Sequence, residues 1–174
     1  MGCEYETRRK EFNNLMKQKS ITDDGIRLKG KQNKKRDKQI RSRAPNYLGN
    51  INNYRREVLD YINQYREKHQ VNPLILNPDI TDIAQRFADE LAIKEDLDYS
   101  DNQYKGEILG ESLFQSFKKI TAEKLVERWY EELYQHNFND NDPEPSHFSQ
   151  MVWKNSKEFG LGIAFGDSRN YYFV

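Results

Sequence analysis

SHFSQMVWKNSKEFGLGIAF, residues 146–165, is the stretch on which the fold turns. It sets His147 ahead of an aromatic-rich run, then spaces Phe159, Leu161, Ile163 and Phe165 two apart, with Gly160, Gly162 and Gly166 beside them. A period of two is that of a strand with one buried face, and glycine inside a strand marks a close approach of another backbone. The segment predicts a strand over 160–165 pressed against a neighbouring element. A second strand is expected over 171–174, joined to it by the turn GDSRN.

Working back along the chain, Tyr54, Val58, Tyr61, Ile62 and Tyr65 recur at helical spacing and predict an amphipathic helix from Asn53 to about His69. Pro73 and Pro78 break it, because each disfavours helix in the residue before it. Asn77 is a fitting N-cap with Pro78 at the first helical position. Ile80, Ile83, Ala84, Phe87, Ala88, Leu91 and Ala92 then continue at i, i+3, i+4 and i+7. Thr121 can cap a third helix that carries Ala122, Leu125, Val126, Trp129 and Leu133 on one side. Between the second and third helices, residues 97–110 are polar and contain glycine, which predicts a loop.

The segments YINQYREKHQVNPLILNP, LGES, AEKLVERWYEEL and SHFSQMVWKNSKEFG stand in the order found in the CAP superfamily, and residues 53–174 resemble it. That superfamily comprises cysteine-rich secretory proteins, antigen 5 and pathogenesis-related proteins. The disulfide-poor, Golgi-associated branch is the most similar. The resemblance implies an α+β fold, a three-layer α-β-α sandwich (the CAP or SCP domain) over 49–174. Family members continue past the last strand with a Pro- and Gly-containing segment, whereas this chain stops at Val174. The final strand is therefore expected to be truncated and to leave an unpaired edge.

The resemblance also implies a central cleft of two His and two Glu, which in some members holds a divalent metal such as zinc. Carried over, one Glu is Glu111 of LGES, the second His is His147, and the other Glu lies in WYEE. A helical wheel chooses between the two candidates. At about 100° per residue with Leu125 at 0°, the apolar face spans roughly 40° to 100°; Glu132 falls near about −20°, beside it, and Glu131 near about 240°, in solvent. Tyr99 occupies the place of the first His. A phenol of reference pKa about 10 is a poor zinc ligand but a good hydrogen-bond donor to a carboxylate. Glu111, Glu132 and His147 are a thin metal set, so no cofactor is expected, with weak zinc binding the alternative. No nucleophile is identifiable, and no catalytic residue is assigned. His69 and His136 are read as surface or capping residues.

Charge is divided along the chain. Residues 1–48 hold 14 Lys+Arg against 6 Asp+Glu, a net +8, and residues 49–174 hold 14 against 22, a net −8. The run KGKQNKKRDKQIRSR has almost nothing apolar to bury and predicts a disordered basic arm. Its readings are a solvated linker, a contact with anionic membrane lipids, or a nucleic-acid or nuclear-import segment; no nucleic-acid-binding module accompanies it, so nucleic acid is not expected. Mean hydropathy is −1.06. MGCEYETRRK lacks the apolar core of a secretory signal. Cys3 is the single cysteine, which excludes an intrachain disulfide. Gly2 and Cys3 fit myristoylation and palmitoylation, although Glu6 stands where Ser or Thr is usual.

The sequence reading is thus a cytoplasmic, peripherally membrane-associated, non-catalytic CAP-domain protein that binds lipid or protein partners, with a homodimer open. The rivals are a hydrolase using Glu111, Glu132 and His147, and an extracellular venom-allergen-like effector.

Overall fold

The computed structural model describes residues 50–135 and 146–174. Three long helices carry most of the core. α1 (Ile51–Lys68) is capped by Asn50, whose side chain accepts from the amide of Asn52. α2 (Pro78–Lys94) begins as the sequence requires: the Asn77 side chain accepts from the amides of Asp79 and Ile80, and Pro78 occupies the first turn, where its missing N–H costs nothing. The Asn77 amide nitrogen also reaches Glu158 at 2.7 Å, which ties this cap to the far end of the chain. α3 (Ala122–Tyr130) is capped by Thr121 and passes into a 3-10 helix, Glu131–Gln135. The short α4 (His147–Met151) starts at Ser146 with a reciprocal capping box through Ser149.

The strands are short. β1 (Ile75–Leu76) pairs in parallel with β5 (Glu158–Phe159). β4 (Phe114–Ser116), β7 (Tyr171–Phe173) and β6 (Ile163–Phe165) form an antiparallel sheet in that order. Ile163, Tyr171 and Phe173 pack with Tyr54, Val58 and Ile62 of α1 and with Leu125, Val126 and Trp129 of α3. The alternate residues Ala164 and Tyr172 pack instead with Phe87, Ala88, Leu91 and Ala92 of α2. The period of two in β6 and β7 thus separates two apolar clusters, with helices covering both faces, and the mixed α+β reading holds.

Three expectations are corrected. The alternation through 160–165 is not one strand: Phe159 belongs to β5 and Ile163 to β6, in different sheets. Between them the chain runs along α2 so closely that a Cβ on Gly160 would meet the backbone at Ile80 and Thr81, and one on Gly162 the backbone at Ala84 and Gln85. The segment 97–110 is not a plain loop. β2 (Gln103–Tyr104) and β3 (Glu107–Ile108) form a hairpin whose two central residues, Lys105 and Gly106, both have positive φ, the conformation that matches the right-handed twist of paired strands. The terminal strand is not an open edge. β7 is the centre of its sheet, paired with β4 and β6, and Val174 exchanges two backbone hydrogen bonds of 3.0 Å with Gly162. The predicted arm, residues 1–48, lies outside the described residues, as do Gly2, Cys3 and His136.

Candidate functional site

The site is assembled where α4 begins. The first amides of a helix have no partner within it and need an external acceptor. For His147 that acceptor is Glu132, at the start of the 3-10 turn after α3. Glu132 Oε2 accepts from the His147 amide at 2.6 Å, and Oε1 lies 2.7 Å from Nδ1 of the same residue. One carboxylate thus holds both the backbone and the ring. Of the two candidate glutamates it is Glu132 that meets His147, through a geometry tighter than an α-helix. Advancing by about 120° per residue from Tyr130, a 3-10 turn moves Glu132 a further 40° or so onto the apolar side. Glu131 points to solvent, where it pairs with the exposed Arg128.

In the neutral ring with its proton on Nδ1, directed at the carboxylate, the other nitrogen is the acceptor. Nε2 of His147 lies 3.1 Å from the Tyr99 hydroxyl and 3.4 Å from the Leu113 amide. Tyr99 is buried. Burial first, then the charges of Glu111 and Glu132, push its pKa well above the ordinary phenol value, so it remains a donor. For Glu132, burial acts to raise the pKa, but the hydrogen bond and charge of the His147 ring and the amides of His147 and Phe148 outweigh it and hold the group below the ordinary carboxylate range.

Glu111 is also buried, and it is held by the residue next to Tyr99. Its Oε1 accepts from the Ser100 amide at 2.9 Å and its Oε2 from the Ser100 hydroxyl at 2.5 Å. The four residues named from sequence therefore meet: Glu132, His147 and Tyr99 form a hydrogen-bonded chain, and Glu111 is clasped to it through Ser100. Sequence reasoning missed Ser100, for which the sequence holds no periodic signal. It also missed Arg66. This residue is fully buried and donates to the carbonyls of Asn72, Met151, Trp153 and Ser156 at 2.7 to 3.1 Å, which fixes the last residue of α4 and the chain that follows it against the segment after α1. The signal was available: Tyr54, Val58 and Ile62 recur every four residues, and Arg66 is the next position on that stripe.

Both nitrogens of His147 are engaged by protein groups, and both oxygens of Glu111 face Ser100. Among the described residues no group of three His, Cys, Asp or Glu is placed to hold a metal ion. The zinc implied by the resemblance does not fit this donor set, which offers one imidazole and no thiolate. Ser146 and Ser149 are occupied with capping α4. His69 is not part of the site. It caps the end of α1, as one of its two readings expected, and its half-buried ring sits 3.0 Å from the Tyr130 hydroxyl and packs against Phe148. Beside Glu111 opens a cleft of about 890 Å³, with Ile108, Leu109, Met151, Trp153 and Phe159 among its walls.

The sequence profile of the CAP, or cysteine-rich secretory protein, family matches residues 59–174. The chain belongs to the CAP family. Human Golgi-associated plant pathogenesis-related protein 1 is 35% identical over 113 residues, which is 64% of this chain and 73% of that protein. Pathogenesis-related protein 1A of Nicotiana tabacum is 35% identical over 112 residues, covering 62% of this chain and 64% of its own. The secreted protein RBT4 of Candida albicans is 29% identical over 119 residues, 67% of this chain but 31% of that longer protein. Among the described residues, no helix of this CAP protein is long and apolar enough to cross a membrane.

Proposed function

We propose that this protein is a non-catalytic CAP-domain binding module, a three-layer α-β-α sandwich recruited peripherally to anionic membranes of the Golgi or the plasma membrane. The observation that carries the reading is the division of charge, +8 on residues 1–48 against −8 on residues 49–174. Each basic residue near an anionic leaflet contributes up to about 1 kcal/mol, reduced by distance and screening, while the acidic domain is repelled by the same surface. The arm is then the attractive element. Acylation at Gly2 and Cys3 would add a component that salt does not remove, since one myristoyl chain alone gives only marginal binding, of order 10⁴ M⁻¹. The human relative's name places that protein at the Golgi, which agrees with this location.

Support for a binding rather than a chemical role comes from His147. A base needs a free lone pair aimed at a substrate proton, and Nε2 of His147 already faces the buried Tyr99 hydroxyl. The test is co-sedimentation of the full chain with phosphatidylserine-containing and with neutral vesicles across a salt series. We expect anionic-specific binding that falls as salt rises, weakens when Lys34, Lys35 and Arg36 are changed to Gln, and loses any salt-resistant part in Gly2→Ala. Equal binding to neutral vesicles, or none to anionic ones, overturns the reading.

A further inference from the structure

The cleft beside Glu111 has an unmet donor in its wall. Trp129 lines it and is 4% exposed, and its indole Nε1 is buried with no acceptor among the described residues. An N–H left unpaired in the interior is costly, and native structures keep few of them. Trp129 stands beside the Glu132, His147 and Tyr99 chain, its ring centroid 6.4 Å from that of His147, yet takes no part in that chain's hydrogen bonds. The cleft itself is firmly bounded. The hairpin of β2 and β3 forms part of its wall, and the Tyr104 hydroxyl donates to Asp79 at 3.2 Å and accepts from the Asn77 side-chain amide at 3.3 Å. Ile62, Leu74, Ile83, Met151 and Phe159 supply aliphatic and aromatic surface around the indole, and about 890 Å³ is room for a small molecule.

Charge narrows what can enter. The charged residues along the cleft are Glu107, Glu111 and Glu158 against Lys157. At its rim Tyr104 has Asp79 on its hydroxyl and Lys105 over its ring, one charge of each sign. The excess is acidic, which opposes a carboxylate or a phosphate. A cationic head is excluded from the inner end for a different reason: an ammonium would set donor against donor at Nε1 and strand its charge among apolar side chains. An uncharged oxygen satisfies both conditions. We propose that the cleft binds an uncharged, largely apolar small molecule whose carbonyl oxygen accepts from Trp129 Nε1. Met151, packed in the same cluster as Trp129, is unbranched and adaptable, and it is the side chain that yields so that the oxygen reaches the N–H. The inference rests on the binding-module reading above but not on membrane recruitment, so failure to bind vesicles leaves it standing.

The experiment measures equilibrium dialysis of the full chain against three probes that share one ring system: fluorenone, fluorene and fluorene-9-carboxylate. Fluorenone differs from fluorene by its carbonyl, and the third adds a negative charge. Wild type should hold fluorenone about tenfold more tightly than fluorene, and the carboxylate more weakly than either. Trp129→Phe should bring fluorenone down to the affinity of fluorene, because only the carbonyl loses a partner. Leu109→Trp, which fills the cleft from its wall, should weaken both uncharged probes, and circular dichroism checks that each variant is folded. Where a variant does not fold, the order of the three probes on wild type still decides. Fluorenone held no better than fluorene, the carboxylate held as tightly as fluorenone, or no binding of any probe overturns the inference. So does a folded Trp129→Phe that keeps the preference for the carbonyl, or a folded Leu109→Trp that binds as wild type.

Discussion

Replacing Glu132 by Gln removes one charge and keeps the shape of the side chain. The carboxylate accepts from the His147 amide and from Nδ1 at 2.6 and 2.7 Å. Gln has one carbonyl oxygen and can satisfy one of these; its NH2 then faces the other as donor against donor. Hydrogen bonds to a charged group contribute about 1.5–3 kcal/mol each. The Glu132 side chain is 31% exposed, so solvent moderates the loss and we take about 2 kcal/mol. For a folded part of this size, about 3–5 °C of midpoint accompanies each kcal/mol, so the melt should fall by about 6–10 °C. Glu131→Gln is the control: its exposed pair with Arg128 should move stability by less than about 0.5 kcal/mol. The pH dependence has a definite sign. The folded pKa of Glu132 is depressed, so its contribution is present above the unfolded value of about 4.3 and is lost as pH falls through the folded one. The gap between wild type and Glu132→Gln should therefore be full at neutral pH and narrow in acid. Differential scanning calorimetry of the three proteins across pH measures it. Equal midpoints for the two variants at pH 7 would refute the reasoning, because the register that distinguishes the two glutamates would then carry no energy.

Tyr99→His should supply a second imidazole beside His147 and raise zinc affinity above the weak or absent binding expected of the wild type, read by isothermal titration; tight wild-type binding unaffected by the substitution counts against Tyr99 as the blocking group. Arg66→Lys should cost about 3 kcal/mol in chemical denaturation, because a compact ammonium cannot serve four carbonyls spread around a planar fork; a loss under about 1 kcal/mol would show that water replaces the guanidinium easily. Gly162→Ala should destabilise by about 3 kcal/mol, since its methyl would be driven into the α2 backbone at Ala84, and an unchanged melt would mean that the strand can simply step away.

The helices and their caps were legible because their signals are local. The stripe from Tyr54 to Ile62, the Asn77-Pro78 start of α2 and Thr121 each work within a turn or two of chain. The sheets were less legible, since an alternating run says that a face is buried but not against which partner. Phe159 and Ile163 share one period and serve different sheets because the chain changes neighbours at the two glycines between them. The 103–108 hairpin went unseen because its turn is Lys-Gly rather than the Asn-Gly or Asp-Gly that commonly announces one. Of the site, Tyr99, Glu111, Glu132 and His147 could be named through family resemblance and a helical wheel, but their bonding could not. Ser100 touches Glu111 across a hairpin that no periodicity reveals. Arg66 was obscured for another reason: a charge on an apolar stripe is ordinarily read as solvated, and only the four converging carbonyls explain its burial.

Among the described residues that arginine is held by dipoles and not by a counter-ion, and this bears on which solution conditions the chain beside it will tolerate. An ion pair at a surface loosens when electrolyte is added, because mobile ions compete for each partner. The guanidinium of Arg66 has carbonyl acceptors in the interior and leaves dissolved ions little to compete for. Burial lowers its pKa, but a guanidinium starts far above neutrality, so ordinary buffers do not discharge it. The chain from the end of α4 to Ser156 should accordingly keep its shape from dilute buffer to concentrated brine. If the chain binds a bilayer as proposed, release by brine would leave this segment in place, ready for return when the medium is diluted.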